Sequence, residues 1–164
     1  MTRQEFEQLT QQGVILLDGA TGSNLMKAGL PRGVSAEQWV TEHPDVLQEL
    51  QSAYVEAGSK IVYAPTFAAN RISLANFGLE DQVERLNAEL VRISRKAVDG
   101  RAFVAGDVTT TGQLMEPKGD MTYDRLYHAY QEQVRALADA GADLLVAETM
   151  LSVEETIVAL DAAQ

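Results

Sequence analysis

The sequence of 164 residues contains no cysteine and only two histidines, His43 and His128. The absence of cysteine excludes disulfide bonds, thiolate catalysis and cysteine-ligated metals formed by these residues. Neither histidine lies in a His-x-x-x-His or His-x-Glu pattern. We therefore expect no zinc or other metal site built by this chain alone.

Long apolar runs and clusters of basic residues are also missing. No run approaches the roughly 18 apolar residues that a membrane-spanning helix needs. The first residues lack the basic start and apolar stretch of a signal peptide, so a cytoplasmic location and no membrane partner are expected. Thirteen Lys and Arg against 24 Asp and Glu give a net charge of −11. Because nucleic-acid surfaces need clustered Lys and Arg, a nucleic-acid partner is not expected either.

Four short apolar runs predict strands that are buried on both faces, at residues 14–17, 61–64, 102–105 and 144–147. Between them, apolar residues recur at intervals of three and four, which predicts amphipathic helices at residues 45–57, 80–98 and 122–140. Ser152 and Glu155 form a capping box that predicts a final helix. Four β-α units imply a parallel sheet covered by helices. A complete barrel typically needs about 250 residues, so the chain is either a small open α/β sheet or half of a barrel.

Two carboxylates follow the first and fourth runs directly, Asp18 after residues 14–17 and Glu148 after residues 144–147. Ligands of sheets wound with helices bind at the carboxyl ends of the strands. A carboxylate at such an end needs a cation or hydrogen-bond donors. The glycine-containing segment after Asp18 brings backbone N–H groups close to a ligand, where they could hold a carboxylate while Asp18 takes an ammonium. A structural turn capped by Asp18 is the alternative.

Polar residues also follow the second and third runs. Thr66 and Asn70 offer neutral donors after residues 61–64, and we expect both in the substrate-binding set. Arg71 could contact an acidic ligand group, but a surface ion pair is the expected role. Asp107 is either a ligand group or a loop cap; the local sequence favours the cap slightly, and Asp107 belongs to the expected substrate-binding set.

These segments together resemble the homocysteine S-methyltransferase family, whose homocysteine-binding domain occurs in cobalamin-dependent methionine synthase and betaine–homocysteine methyltransferase. The resemblance runs through the whole chain in order and spacing. The matching pieces are Leu17-Asp18-Gly19-Ala20-Thr21-Gly22, Glu37-Gln38-Trp39, His43-Pro44-Asp45-Val46, Tyr54-Val55-Glu56-Ala57-Gly58-Ser59, Thr66-Phe67-Ala68-Ala69-Asn70-Arg71, Gly106-Asp107, Thr111-Gly112 and Glu148-Thr149.

The resemblance implies a (β/α)8 TIM barrel with zinc at the carboxyl end of the strands. It implies that Asp18 and Glu148 bind the amino group of homocysteine or an analogue, and that backbone around Gly19, Ala20 and Thr21 binds its carboxylate. In the family, a methyl group passes to the zinc-activated thiol from a donor such as methylcobalamin, betaine or S-methylmethionine.

The family's zinc cysteines lie in the second half of the barrel. Residues 1–164 are accordingly expected to be the N-terminal half of the barrel domain, with no catalytic residue, no bound cofactor and no transferase activity alone. Expected partners are the amino-acid thiol, a second copy or a second half-barrel chain, and a corrinoid-bearing domain or protein. Two alternatives stay open. One is a non-catalytic half-barrel assembly module; the other is an unrelated α/β enzyme that uses Asp18 and Glu148 as acid and base.

Overall fold

The computed structural model describes residues 1–11 and 13–164. Within these residues, helices and parallel strands alternate along most of the chain, in a mixed α/β arrangement. The helices are α1 (Arg3–Gln11), α2 (Gly22–Lys27), α3 (Ala36–Glu42), α4 (Pro44–Glu56), α5 (Arg71–Leu74), α6 (Val83–Val98), α7 (Tyr123–Asp139) and α8 (Val153–Ala162), with short 3-10 turns at Ala75–Phe77 and Glu80–Gln82. The strands are β1 (Ile61–Ala64), β2 (Phe103–Val108) and β3 (Leu144–Ala147).

The three strands form one parallel sheet in the order β1-β2-β3. Two of the four predicted strands have the expected bounds, and β2 extends three residues beyond the predicted end. The helical crossovers α6 and α7 provide the long connections that parallel neighbouring strands require.

The first apolar run, residues 14–17, was predicted to be a buried strand, and that prediction is wrong. It makes a single parallel bridge, Leu17 with Ile61, through Lys60 N to Leu16 O at 2.8 Å and Asp18 N to Ile61 O at 3.0 Å. Val14 is 90% exposed. The run touches β1 along one edge only, where these two backbone hydrogen bonds and one from Ser59 Oγ to Leu17 O hold it without completing a ladder. The half-buried β3 also departs from the expectation of burial on both faces.

The main core lies between one face of the sheet and helices α6, α7 and α8. Val62, Ala64 and Val104 point from the strands into this layer, where they meet apolar side chains of the helices. Neighbouring helices also pack side by side, α4 on α6, α6 on α7 and α7 on α8. Burial of this apolar surface is the dominant favourable contribution to the fold.

Gly106 lets α7 approach the sheet closely. A Cβ atom at this position would lie 2.9 Å from Leu137 Cδ1 and 3.0 Å from Leu145 Cδ2. A side chain here would therefore push α7 away from β2, which explains a glycine inside a central strand.

The amphipathic helix predictions are confirmed by α4, α6 and α7, with differences at the ends of one to three residues. The predicted start of the last helix is confirmed as well, because the Ser152 side chain accepts a hydrogen bond from Glu155 N at 3.0 Å. Helices α1, α2, α3 and α5 were not predicted. In the part of the chain that the structure describes, every helix is too short or too polar to cross a membrane.

Candidate functional site

A cavity of about 580 Å³ opens at the carboxyl end of the sheet. Its walls come from the segment after the first apolar run, the end of β1, the start of α3, and the ends of β2 and β3. Its polar lining consists of the carboxylates of Asp18, Glu37, Asp107 and Glu148, the side chain of Tyr63, and residues 19–22. Among the described lining residues there is no Lys, Arg or His.

Strand register brings three of these side chains together. Residues paired across a parallel ladder point to the same face, and every second residue of a strand does so too. Tyr63 pairs with Ala105, and Asp107 pairs with Val146. Tyr63, Asp107 and Glu148 therefore share the face of the sheet opposite the helical core, and all three line the cavity.

Asp18 reaches the cavity because its segment is tied to β1. Its Oδ2 accepts a hydrogen bond from Tyr63 N at 3.0 Å, in addition to the bond from Asp18 N to Ile61 O. The alternative role of Asp18, as a cap of the next segment, finds no support, since α2 has no side-chain cap. The carboxylate instead bridges two segments and presents its remaining oxygen at the cavity wall.

Side chains of α4 and α2 hold the turn that follows Asp18. Tyr54 donates its hydroxyl to Ala20 O at 3.0 Å, and Asn24 Nδ2 donates to the same oxygen at 2.6 Å. A Cβ at Gly19 would lie 2.9 Å from the Tyr54 ring, so glycine is needed for this close approach. The N–H groups of residues 19–21 have no acceptor among the described residues. They remain available to an anionic ligand group.

Asp107 lies within β2, so its interpretation as a loop cap is wrong. It is only 5% exposed, and its Oδ1 has no hydrogen-bond partner among the described residues. The sequence suggested a loop because Gly106-Asp107 is a poor strand former. The close packing of α7 at Gly106 and the pairing with β3 override that local preference.

Thr66 and Asn70 were predicted to contact the ligand, but neither lines this cavity. Thr66 is fully buried and exchanges hydrogen bonds with the backbone of Asp107, both at 2.9 Å. Asn70 caps α5 by accepting from Ser73 N at 2.9 Å. Thr66 thus holds the backbone of a cavity residue, and Asn70 holds the start of α5. The predicted surface ion pair of Arg71 is confirmed, with Glu132 at 2.7 Å and Asp81 at 3.1 Å.

Burial and mutual repulsion shape the protonation of the carboxylates. Desolvation, together with the charges of Glu148 and Asp18, raises the pKa of Asp107 to about 7. Desolvation likewise raises the pKa of Asp18 to about 6, against the opposing hydrogen bond from Tyr63 N. The pKa of the Tyr63 hydroxyl is also raised, by desolvation and then by the charges of Glu148, Asp107 and Asp18. A cation bound in the cavity would relieve this repulsion.

These shifts predict that the cluster costs stability as the pH rises. The pKa of Asp107 is higher in the folded than in the unfolded state. Its effect on the free energy of unfolding is therefore fully favourable below about pH 4, and this stability is lost as the pH rises through about 7. We expect Asp107→Asn to unfold at the same temperature as wild type at pH 4. A shift of about three pKa units corresponds to about 4 kcal/mol at pH 8, and because solvent screens a partly accessible charge we expect the variant to be more stable by about 2 kcal/mol, roughly 4–8 °C. Thermal melts followed by circular dichroism at both pH values test this; equal melting temperatures at pH 8 would contradict it.

Sequence inspection missed Glu37 as a cavity residue. Its buried carboxylate accepts from Ser35 Oγ at 2.7 Å and from Ala68 N at 3.2 Å, which ties α3 to the segment after β1. The signal was weak, since Ser35 before an unpredicted helix is a local cap and Ala68 is 31 residues away.

A second buried carboxylate, Glu155, was noticed only as part of a capping box. It is 1% exposed and accepts from Thr110 Oγ1 at 2.5 Å, Thr111 N at 2.7 Å, Thr111 Oγ1 at 2.8 Å and Tyr130 Oη at 2.9 Å. Glu155 thereby ties the segment after β2 to the start of α8. Thr109 in the same segment donates to Glu148 O at 2.9 Å.

The turn after Glu148 is also unusual. Thr149 has a φ of +54°, a left-handed conformation that β-branched residues rarely adopt. Such backbone persists only where surrounding contacts enforce it, and it commonly marks binding sites. Here the Thr109 side chain bonds the carbonyl of Glu148 directly before this turn, and Glu155 lies in the first turn of α8 that follows it.

The residues present do not fit a zinc ion. The sequence has no cysteine, and the described residues contain no group of three or more His, Cys, Asp or Glu placed to hold a metal. The cavity carboxylates suit a hydrogen-bonding cationic ligand, whose charge would relieve their mutual repulsion.

Comparison with known proteins identifies the class. The family model for homocysteine S-methyltransferase matches residues 15–164, and the chain belongs to this family. Among solved structures it is similar to the homocysteine methyltransferase MmuM from Escherichia coli in its metallated form, with 27% identity and a TM-score of 0.79 over 94% of this chain and 60% of that chain. The oxidized form gives 26% identity and a TM-score of 0.77, covering 94% of this chain and 59% of that one.

The chain thus spans about 60% of the length of MmuM. These neighbours are TIM-barrel proteins, so the expected fold class is confirmed: the β-α units of this chain correspond to part of a (β/α)8 barrel. The apo form of MmuM has a TM-score of 0.68 at 25% identity, over 94% of this chain and 55% of that chain.

Proposed function

We propose that residues 1–164 are the amino-terminal half of a homocysteine-binding barrel and carry its amino-acid-binding site. The observation that supports this most directly is the meeting of Asp18 and Glu148 at one cavity, beside unpaired N–H groups of residues 19–21. The carboxylates suit the ammonium of an α-amino acid, and the N–H groups suit its carboxylate. Asp107 adds a further negative charge to the ammonium side.

The complete enzyme would transfer a methyl group to the thiol of homocysteine. In that reaction a carbon–sulfur bond forms, the bond between the methyl group and its donor breaks, and the thiol proton is lost. The role of this chain's residues is to bind and orient the amino-acid end, which makes attack by the sulfur effectively intramolecular. The similar protein MmuM has been solved in a metallated form. The residues of this chain do not fit a zinc ion, and their role is confined to the amino-acid end of the substrate.

The proposed function predicts that the purified chain binds L-homocysteine in a calorimetric titration. The control ligand is 4-mercaptobutanoate, which keeps the thiol and carboxylate but lacks the ammonium. We expect it not to bind, because the cavity lining is acidic and the anion would have no compensating positive charge. No methyl transfer is expected from the pure chain with methylcobalamin, betaine or S-methylmethionine. Equal binding of both ligands, or none of homocysteine, would contradict the proposed site.

A second candidate function is a half-barrel assembly module. Exposed apolar residues lie near both edges of the sheet. Leu16 and Leu17 lie beside β1. A stripe on and before α8 is formed by Leu151, Val153, Ile157 and Leu160. Among the described residues, β3 pairs only with β2 and leaves its other edge open. Open edges and apolar patches favour association with a second copy or a second half-barrel chain. Light scattering on the titration sample distinguishes these cases, since a strict monomer at high concentration would argue against self-pairing.

A further inference from the structure

Asp107 differs from Asp18 and Glu37 because one of its carboxylate oxygens, Oδ1, is buried without a hydrogen-bond donor among the described residues. Asp18 accepts from Tyr63 N, and Glu37 accepts from Ser35 and Ala68. The Asp107 residue is only 5% exposed, and no donor among the described residues bonds its Oδ1. Such a group is costly to keep ionised without a cation or hydrogen bond.

The surroundings of Asp107 are all neutral or negative. From β1 it faces Tyr63, from the segment beside β1 it faces Asp18, from the end of β3 it faces Glu148, and across the cavity lies Glu37. Behind it, Thr66 contacts only its backbone. Carboxylates that share one cavity cannot all ionise freely, and the cluster retains a proton under conditions where isolated carboxylates would lose theirs.

We propose that Asp107 holds a proton in the ligand-free cavity and releases it to solvent when the ammonium group of the ligand binds among the carboxylates. This inference rests on the proposed amino-acid-binding function. The positive charge of the ligand replaces the proton as the neutralising group, and the Asp107 carboxylate becomes an additional acceptor for the ammonium. Binding is therefore coupled to pH.

The raised pKa of Asp107, about 7, and of Asp18, about 6, set the expected size of the coupling. At pH 7 the wild type should release about half a proton per ligand, rising above roughly one at pH 6 and approaching zero at pH 8.5. Because the number of protons released is the slope of log affinity against pH, L-homocysteine should bind roughly tenfold to twentyfold more tightly at pH 8 than at pH 6.

The test is calorimetric titration of the full chain with L-homocysteine in buffers of different ionisation enthalpy. The dependence of the heat on the buffer gives the number of protons released. Wild type is compared with Asp107→Asn, which keeps the shape and an acceptor oxygen but cannot carry this proton, and with Asp120→Asn, an exposed aspartate in the loop before α7. Any proton from the thiol or amino group of the ligand appears equally in all three proteins and cancels in the comparison.

We expect Asp107→Asn to lose most of the proton release at pH 7 and to reduce the affinity change between pH 6 and pH 8 to about twofold. Asp120→Asn should behave as wild type. Binding with no buffer dependence in wild type, or with equal release in wild type and Asp107→Asn, would overturn this inference and leave the proposed function standing. Absence of any binding would remove both. Absence of proton release from wild type would overturn the inference even if the Asp107 variant does not fold.

Discussion

Replacement of Glu155 by alanine is expected to lower the free energy of unfolding by about 3–4 kcal/mol, roughly 6–16 °C in melting temperature. The carboxylate is buried and accepts four hydrogen bonds from Thr110, Thr111 and Tyr130. Truncation leaves these donors without an acceptor in surroundings that water does not readily reach. Each buried donor that loses its partner costs on the order of 1–3 kcal/mol, partly recovered where a hydroxyl rotates to another acceptor.

Glu154→Ala is the matched control for this experiment. Glu154 is the preceding residue of the same first turn of α8 and is exposed. Its loss should cost no more than about 1 kcal/mol, the usual range for an acidic residue near a helix N-terminus. Chemical denaturation of both variants at pH 7 measures the difference. Equal destabilisation would show that Glu155 acts only as a helix-terminus charge.

Asp18→Asn and Glu148→Gln are each expected to weaken L-homocysteine binding by about 30-fold or more. Removing one charge from a partly buried charge pair typically costs 2–5 kcal/mol of binding free energy, with about 1.4 kcal/mol for each factor of ten. Both substitutions keep the side-chain shape, and both remove a negative charge from a crowded acidic cavity. We therefore expect folding stability to be retained or raised while affinity falls.

This opposite movement of affinity and stability separates a binding role from a structural one. Asp120→Asn serves again as the control, since it changes the net charge of the chain equally from an exposed position away from the cavity lining. Calorimetry gives the affinities and thermal melts give the stabilities. If either variant bound L-homocysteine as wild type does, that carboxylate would not contact the ammonium.

The two experiments address one structural unit. Glu155 holds the segment after β2 against α8, and Thr109 in that segment holds the backbone of Glu148. These contacts hold the backbone of Glu148, a residue that lines the cavity. Preorganised carboxylates bind an ammonium without paying the cost of ordering flexible side chains on binding.

Local periodicity made much of the fold predictable. Helices α4, α6 and α7 follow from apolar residues three and four apart, and β1 and β3 follow from short apolar runs. The run at residues 14–17 has the same composition but forms only one bridge, because strand formation also requires a neighbour on which to pair. The composition of a run predicts that it prefers to be buried. Whether it forms a strand depends on the segment that lies beside it in the folded chain.

The candidate site was predictable where a charge directly follows an apolar run. Asp18 and Glu148 were selected on that basis, and the structure places both at the same cavity. Thr66 and Asn70 were selected as neutral donors after the second apolar run, but their side chains are occupied by the Asp107 backbone and by the start of α5. A position at a strand end thus predicts proximity to the site, while the direction of the side chain depends on its hydrogen-bond partners.

The order of residues along the chain was enough to place helices, parallel strands and two carboxylates at one edge of a sheet, since these features depend on periods of a few residues. The absence of cysteine likewise excluded a cysteine-ligated metal formed by these residues. The tertiary structure decided that Glu37 lines the cavity, that Oδ1 of Asp107 has no donor among the described residues, and that Glu155 is buried. These features depend on strand register and on contacts between residues 31 to 45 positions apart. Such contacts depend on which surfaces pack together, and the local sequence pattern does not predict that packing.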